Sequence, residues 1–202
     1  MRRSHRRFSH AIVLASIAVL GLGAMDASAI ILEPQSPQIQ IALQRGRAAA
    51  DNRTPPDRLY SWFGSDDELE PRGFVMTKMV GLSVMSAHFA LRSQTPGERD
   101  VQQILSEPTL LISATIFGPN PTFAVESYMV LAQGDRTIKP VRVRFDAVAT
   151  RTSVWPKPPA YRAKVVASFA YADMNPQGKA VLSVFPGQGG ELQFDLDFAK
   201  ID

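Results

Sequence analysis

The chain has 202 residues and no cysteine. Thiol catalysis, thiolate zinc, iron–sulfur clusters and covalent c-type haem are therefore excluded, and no disulfide staples the fold. Histidine is almost as scarce. His5 and His10 stand near the N-terminus, and the rest of the chain holds only His88. Beyond the N-terminal segment, a site that needs two imidazoles from one chain is excluded by the same counting. Past residue 29 the sequence has no G-x-S-x-G elbow and no phosphate-binding loop ahead of a helix. No apolar run there approaches the roughly 18 residues that read as a membrane-spanning helix.

What is present begins with an address. Arg2, Arg3, Arg6 and Arg7 precede the apolar stretch Ala11–Met25, and Ala27-Ser28-Ala29 supplies the small residues a signal peptidase reads. Residues 1–29 are predicted to be a cleavable signal peptide, cut after Ala29, which sends the product to the periplasm or outside the cell. The apolar stretch is shorter than the roughly 20 residues a bilayer core requires. The leader takes four Arg and one Asp from totals of 22 basic and 19 acidic residues, leaving 18 of each. The net charge of +3 is thus a property of the leader, and it gives no reason to expect a nucleic-acid partner.

Residues 30–107 read as a helical and mixed segment, and 108–202 as an antiparallel β-sandwich core, the two packed as one domain. Ser36-Pro37 starts a helix, and Ile39, Leu43, Gly46 and Ala50 line one of its faces. Gly46 on that stripe suggests close contact with another backbone. Leu59–Phe63 is an aromatic cluster, followed by the acidic turn Ser65–Pro71. From Phe74 to Leu91 the chain is apolar or small throughout, and period alone does not separate helix from strand. The expectation is a break at Gly81 and a strand over Leu82–Arg92. A short helix follows over Asp100–Ser106.

After Pro108, strands alternate with Gly/Pro turns. They are predicted over 109–117, 123–133, 138–146, 162–172, 179–185 and 191–199, with a short one within 147–154. Such spacing without intervening helices indicates a sandwich or barrel rather than a doubly wound parallel sheet. Pro140 demotes its end of a strand to an edge or a bulge. Trp155-Pro156-Lys157-Pro158-Pro159 is predicted to cross in an extended, polyproline-like form. In the last strand Leu192, Phe194, Leu196 and Phe198 alternate with polar residues and define a buried face. The fold class expected is mainly β (α+β): a sandwich-like domain with short N-terminal helices.

The titratable residues offer little chemistry. His88 sits in an apolar run near Ser83 and Ser86, as a partly buried histidine with a satisfied ring would. The carboxylates Asp66, Asp67, Glu68 and Glu70 crowd a turn and suit loop capping; neither metal nor cofactor is implied. The positive feature is segregated charge. Arg136, Lys139, Arg142, Arg144, Arg151, Lys157, Arg162 and Lys164 fall in a span whose only acid is Asp146. Arg142 and Arg144 share one strand face, about 6–7 Å apart. If Arg162 and Lys164 pair beside them, a basic platform results, flanked by Trp155 and Tyr161. Its occupant would be an anionic glycan, a lipid headgroup or an acidic protein partner, unless the acidic turn neutralises it within the fold. The expected function is an exported, non-enzymatic binding or assembly module. The alternatives are a small hydrolase using carboxylates or His88, and a partner that adds an edge strand to another protein.

Overall fold

The computed structural model describes residues 29–201. The leader predicted over 1–29 therefore lies outside the described residues, apart from Ala29. In chain order the elements are α1 (Ser36–Asp51), β1 (Ser61–Gly64), β2 (Arg72–Met76), α2 (Lys78–Ala90), α3 (Glu98–Leu105), β3 (Thr109–Gly118), β4 (Tyr128–Gln133), β5 (Arg136–Ile138), β6 (Arg142–Phe145), β7 (Thr150–Arg151), β8 (Tyr161–Ala170), β9 (Lys179–Phe185) and β10 (Leu192–Asp197). The strands form two antiparallel sheets. One is ordered β1-β2-β3-β8-β6, with β7 also on β8; the other is ordered β10-β9-β4-β5. This is the mainly β, α+β architecture that the turn spacing predicts.

The core lies between the sheets. In the larger sheet the inward residues of β3 pair with those of β8 as Leu110–Phe169, Ile112–Ala167, Ala114–Val165 and Ile116–Ala163. Three of these four pairs set a large side chain against an alanine. That alternation lets the two layers interdigitate at native density. From the smaller sheet Met129, Leu131, Leu182, Val184, Phe194 and Leu196 fill the other side. The inward face predicted for the last strand is the one observed, with Phe194 meeting Phe63 edge to face at 5.1 Å.

The helices cover one end of the larger sheet's outer face, where Tyr60 and Met76 pack against Leu59, Val80 and Val84. Helices α1 and α2 cross almost backbone to backbone at Gly46. A Cβ there would come within 2.0 Å of the Ser83 carbonyl oxygen, so the expected close contact is real. Ser86 locks the crossing by donating from Oγ to the Leu43 carbonyl at 2.7 Å.

Five expectations are corrected. The strand predicted over Leu82–Arg92 is the second half of α2, which Thr77 caps by accepting from the Val80 N–H at 3.1 Å. This helix buries Val80, Leu82, Ser83, Val84, Ser86 and Ala87; enclosed on several sides, it loses the amphipathic period that would have announced it. Gly81 is no break but a seat for Ile104 of α3, whose Cγ2 would lie 3.3 Å from an added Cβ. The strand predicted over 123–133 starts only at Tyr128, because the chain first turns to bury Phe123 and Ala124. The strand predicted over 138–146 divides into β5 and β6, which belong to different sheets. Pro140, lacking an N–H, ends the first ladder and marks the crossing. Finally, Trp155–Pro159 is not extended. Trp155 N–H donates to the Thr152 carbonyl and Lys157 N–H to the Val154 carbonyl, and the bonds before Pro156 and Pro159 are cis.

Phe194→Asp tests the assignment of the inner face. It removes aromatic packing typically worth about 3–5 kcal/mol and strands a carboxylate between the sheets, against a total stability of roughly 5–15 kcal/mol. The variant is expected to lose cooperative thermal unfolding; an unchanged Tm would refute the assignment.

Candidate functional site

Strand pairing decides which side chains share the outer face of the larger sheet. Residues opposite one another in an antiparallel pair point to the same side. One row across the sheet reads Trp62, Phe74, Ser113, Val166 and Arg144; the next, toward the helices, reads Met76, Leu111, Ser168 and Arg142. In the other direction the rows hold Arg72, Thr115 and Lys164, then Phe117, Arg162 and Thr150. Arg142, Arg144, Arg162 and Lys164 are therefore brought onto one face, and all four are exposed. None has a carboxylate within ion-pair distance among the described residues.

The acidic turn does not neutralise them. It joins β1 to β2 at the far side of the same sheet and caps itself: Ser65 Oγ accepts from the Asp67 N–H, and Asp67 Oδ1 accepts from the Leu69 N–H. Asp66 and Glu68 instead share a hollow with Arg58 and Arg72, and the Arg72 guanidinium lies 5.2 Å from the Trp62 ring centre. Asp146, the one acid inside the basic span, accepts from the backbone N–H of Lys164 at 2.8 Å.

Trp155 and Tyr161 stand elsewhere. Even-numbered residues of β8 point outward, so odd-numbered Tyr161 follows the inner side and packs on the core. The Trp155 indole N–H donates to the Tyr161 hydroxyl at 3.4 Å, and the Arg151 guanidinium sits 4.1 Å from the Trp155 ring centre. This trio forms a separate cluster at the β7–β8 end. The flanking position expected for the two aromatics is not the one they occupy: strand parity turns Tyr161 to the inner side, and Trp155, in the turn before β8, is held to it by the hydrogen bond.

A groove of about 740 Å³ runs beside the cations. Its floor is the Met76–Leu111–Ser168 row, Met85, Phe89 and Ile104 of α2 and α3 form one wall, and Val141, Arg142 and Arg144 form the other. At one end Lys78 Nζ donates to the Leu105 carbonyl at 2.6 Å and lies 5.5 Å from the centre of the Tyr171 ring. Burial pushes the Tyr171 phenol well above its ordinary range, and the nearby Glu107 carboxylate adds to the rise, outweighing a hydrogen bond with the Lys78 backbone. The groove's apolar wall escapes sequence reasoning, since Met85 and Phe89 lie some fifty residues upstream of the arginines in a run expected to be a strand, and Ile104 lies in a separate helix. The all-round apolar character of that run, combined with Thr77 as a cap, was the available signal.

His88 is exposed, not partly buried. Ser83 and Ser86 face inward and donate to the Met79 and Leu43 carbonyls. Two residues on from Ser86 is a rotation of about 200° around a helix, so the histidine points away and no nucleophile–base pair forms. Among the described residues no three His, Asp or Glu side chains converge as metal donors would, and no helix is long and apolar enough to cross a membrane. Of the edge strands, β5 has three residues and β1 and β6 have four each, while β10 has six, an ordinary strand length.

The Tyr171 shift carries a sign. A phenol whose folded pKa is raised favours the folded state below the unfolded value, and that contribution is lost as pH climbs beyond it. Stability is therefore expected to fall above about pH 10, and Tyr171→Phe should remove the latest component of the ultraviolet phenolate titration. A titration curve that keeps this component in the variant would contradict the assignment. No protein-family model, curated protein or solved structure matches this chain.

Proposed function

We propose that the chain is an exported, non-enzymatic binding module that takes an anionic ligand on the outer face of its larger sheet. The observation that carries this reading is the group Arg142, Arg144, Arg162 and Lys164, sharing one exposed face with no carboxylate partner among the described residues. Unpaired cations on a rigid sheet form a local positive field at no conformational cost to the protein. The ligand class is an anionic glycan, a lipid headgroup or an acidic segment of a partner protein.

Export rests on the leader over residues 1–29. A cut after Ala29 suits the fold, because Ile30 is only 3% exposed and its backbone nitrogen donates to the Pro176 carbonyl at 3.2 Å. A nascent ammonium at Ile30 would keep that hydrogen bond. Any cut further along would remove a core residue.

Heparin, a sulfated polysaccharide, tests the sheet face directly. The protein is expected to bind it at low salt and to elute as the screening length falls below about 8 Å. Replacing Arg142, Arg144, Arg162 and Lys164 together by Gln should weaken binding on the order of tenfold or more while leaving the near-ultraviolet circular dichroism intact. Retention that is indifferent to salt, or equal in the variant, would overturn the proposal.

A further inference from the structure

We infer that the groove between α2, α3 and the outer sheet face holds the hydrocarbon tail of a single-chain amphiphile, with its carboxylate or phosphate head on Arg142 and Arg144. This deepens the anion-binding reading above and rests on it. A groove of about 740 Å³ falls within the roughly 300–1,000 Å³ of small-molecule sites, which are apolar with a few converging polar groups. Here Met76, Met85, Phe89, Ile104 and Leu111 remain half-buried, an apolar lining that the fold itself leaves uncovered. Of the apolar residues of the amphipathic helix α3, Ile104 reaches the groove, while Val101 and Leu105 pack with it toward Met79 and Leu82. Two methionines suit a flexible tail, since the unbranched thioether side chain adapts to irregular contacts. At the opposite lip Val141, which precedes Arg142, is 68% exposed.

Charge fixes the direction in which the occupant lies. Arg142 and Arg144 stand on the β6 wall without acidic partners, whereas Asp100 and Glu107 stand on the α3 side. Both carboxylates are held locally, Asp100 Oδ2 by the Gly97 N–H and Glu107 Oε1 by the Thr109 hydroxyl. An anionic head is drawn to the arginine wall and repelled from the other. A chain bearing acids along its whole length would meet Asp100 and Glu107, so the arrangement favours one head on one tail over an acidic peptide.

The probe is laurate, below its micelle-forming concentration, titrated into the full exported chain by calorimetry. One laurate is expected to bind per chain, acetate should not bind in the same range, and dodecyl maltoside, with an equal tail and no charge, should bind about tenfold more weakly. Ser168→Trp fills the floor and Gln103→Trp fills the α3 side from an exposed position; at least one is expected to reduce laurate affinity about tenfold or more while heparin binding persists. Arg142→Gln with Arg144→Gln should cost about tenfold in laurate affinity. Failure to bind laurate by a protein that still binds heparin would overturn the groove assignment and leave the sheet-face reading standing. Equal binding of dodecyl maltoside, or laurate binding untouched by both tryptophan variants, would overturn it as well. Laurate binding without salt-sensitive heparin binding would instead overturn the sheet-face reading alone.

Discussion

The ladder between β3 and β8 holds the structure together. Both strands are ten residues long and pair rung for rung from Thr109–Ala170 to Gly118–Tyr161. A side-chain period of two then divides every rung between two sides. One side sets Leu110, Ile112 and Ile116 against Phe169, Ala167 and Ala163 and is sealed by the smaller sheet. The other side carries Leu111–Ser168, Ser113–Val166, Thr115–Lys164 and Phe117–Arg162. A slip of one residue would exchange the two sets, burying Lys164 and exposing Val165. The hydrophobic effect therefore fixes the register, and the register fixes where the cations stand.

The unpaired state of those cations follows from sheet order. The acidic turn belongs to the β1–β2 hairpin, whereas the basic residues belong to β8 and β6, two to four strands away. At about 4.8 Å per strand that is roughly 10–19 Å, beyond a screening length of about 8 Å at physiological ionic strength. Residues 30–202, with 18 basic and 18 acidic side chains, thus carry a face that is acidic at one edge and basic at the other. Helices α1 and α2, locked at Gly46, cover only the Met76 end of that face, and the space left between α2, α3 and β6 becomes the groove.

Much of this was legible in the sequence, for identifiable reasons. Strands after Pro108 declare themselves because one face is buried and the turns between them hold Gly, Pro and Asn. The shared face of Arg142, Arg144, Arg162 and Lys164 follows from parity once β6 and β8 are neighbours. Reading failed where a local pattern is overridden by what surrounds it. The run 74–91 contains both a strand and an enclosed helix, and burial on several sides erased the period of the helix. Pro140 marks an edge as expected, since β5 and β6 each end their sheet, but a local pattern does not show that the two strands belong to different sheets. Nearness in sequence suggests that Tyr161 and Trp155 flank the cations, whereas an odd–even count along β8 sends the tyrosine inward. The groove was beyond the reach of pattern altogether, because its walls come from segments that only the tertiary fold brings together.

Because the chain has no native cysteine, the central claim is open to a clean chemical measurement. Single-cysteine substitutions at Arg162, Ala163, Lys164, Val165, Val166 and Ala167 would be labelled with a maleimide in the native state and again after unfolding. Positions 162, 164 and 166 are expected to react in the native protein, while 163, 165 and 167 react only once it is unfolded. Uniform reactivity along β8, or the opposite alternation, would contradict the two-faced ladder and with it the placement of the basic face.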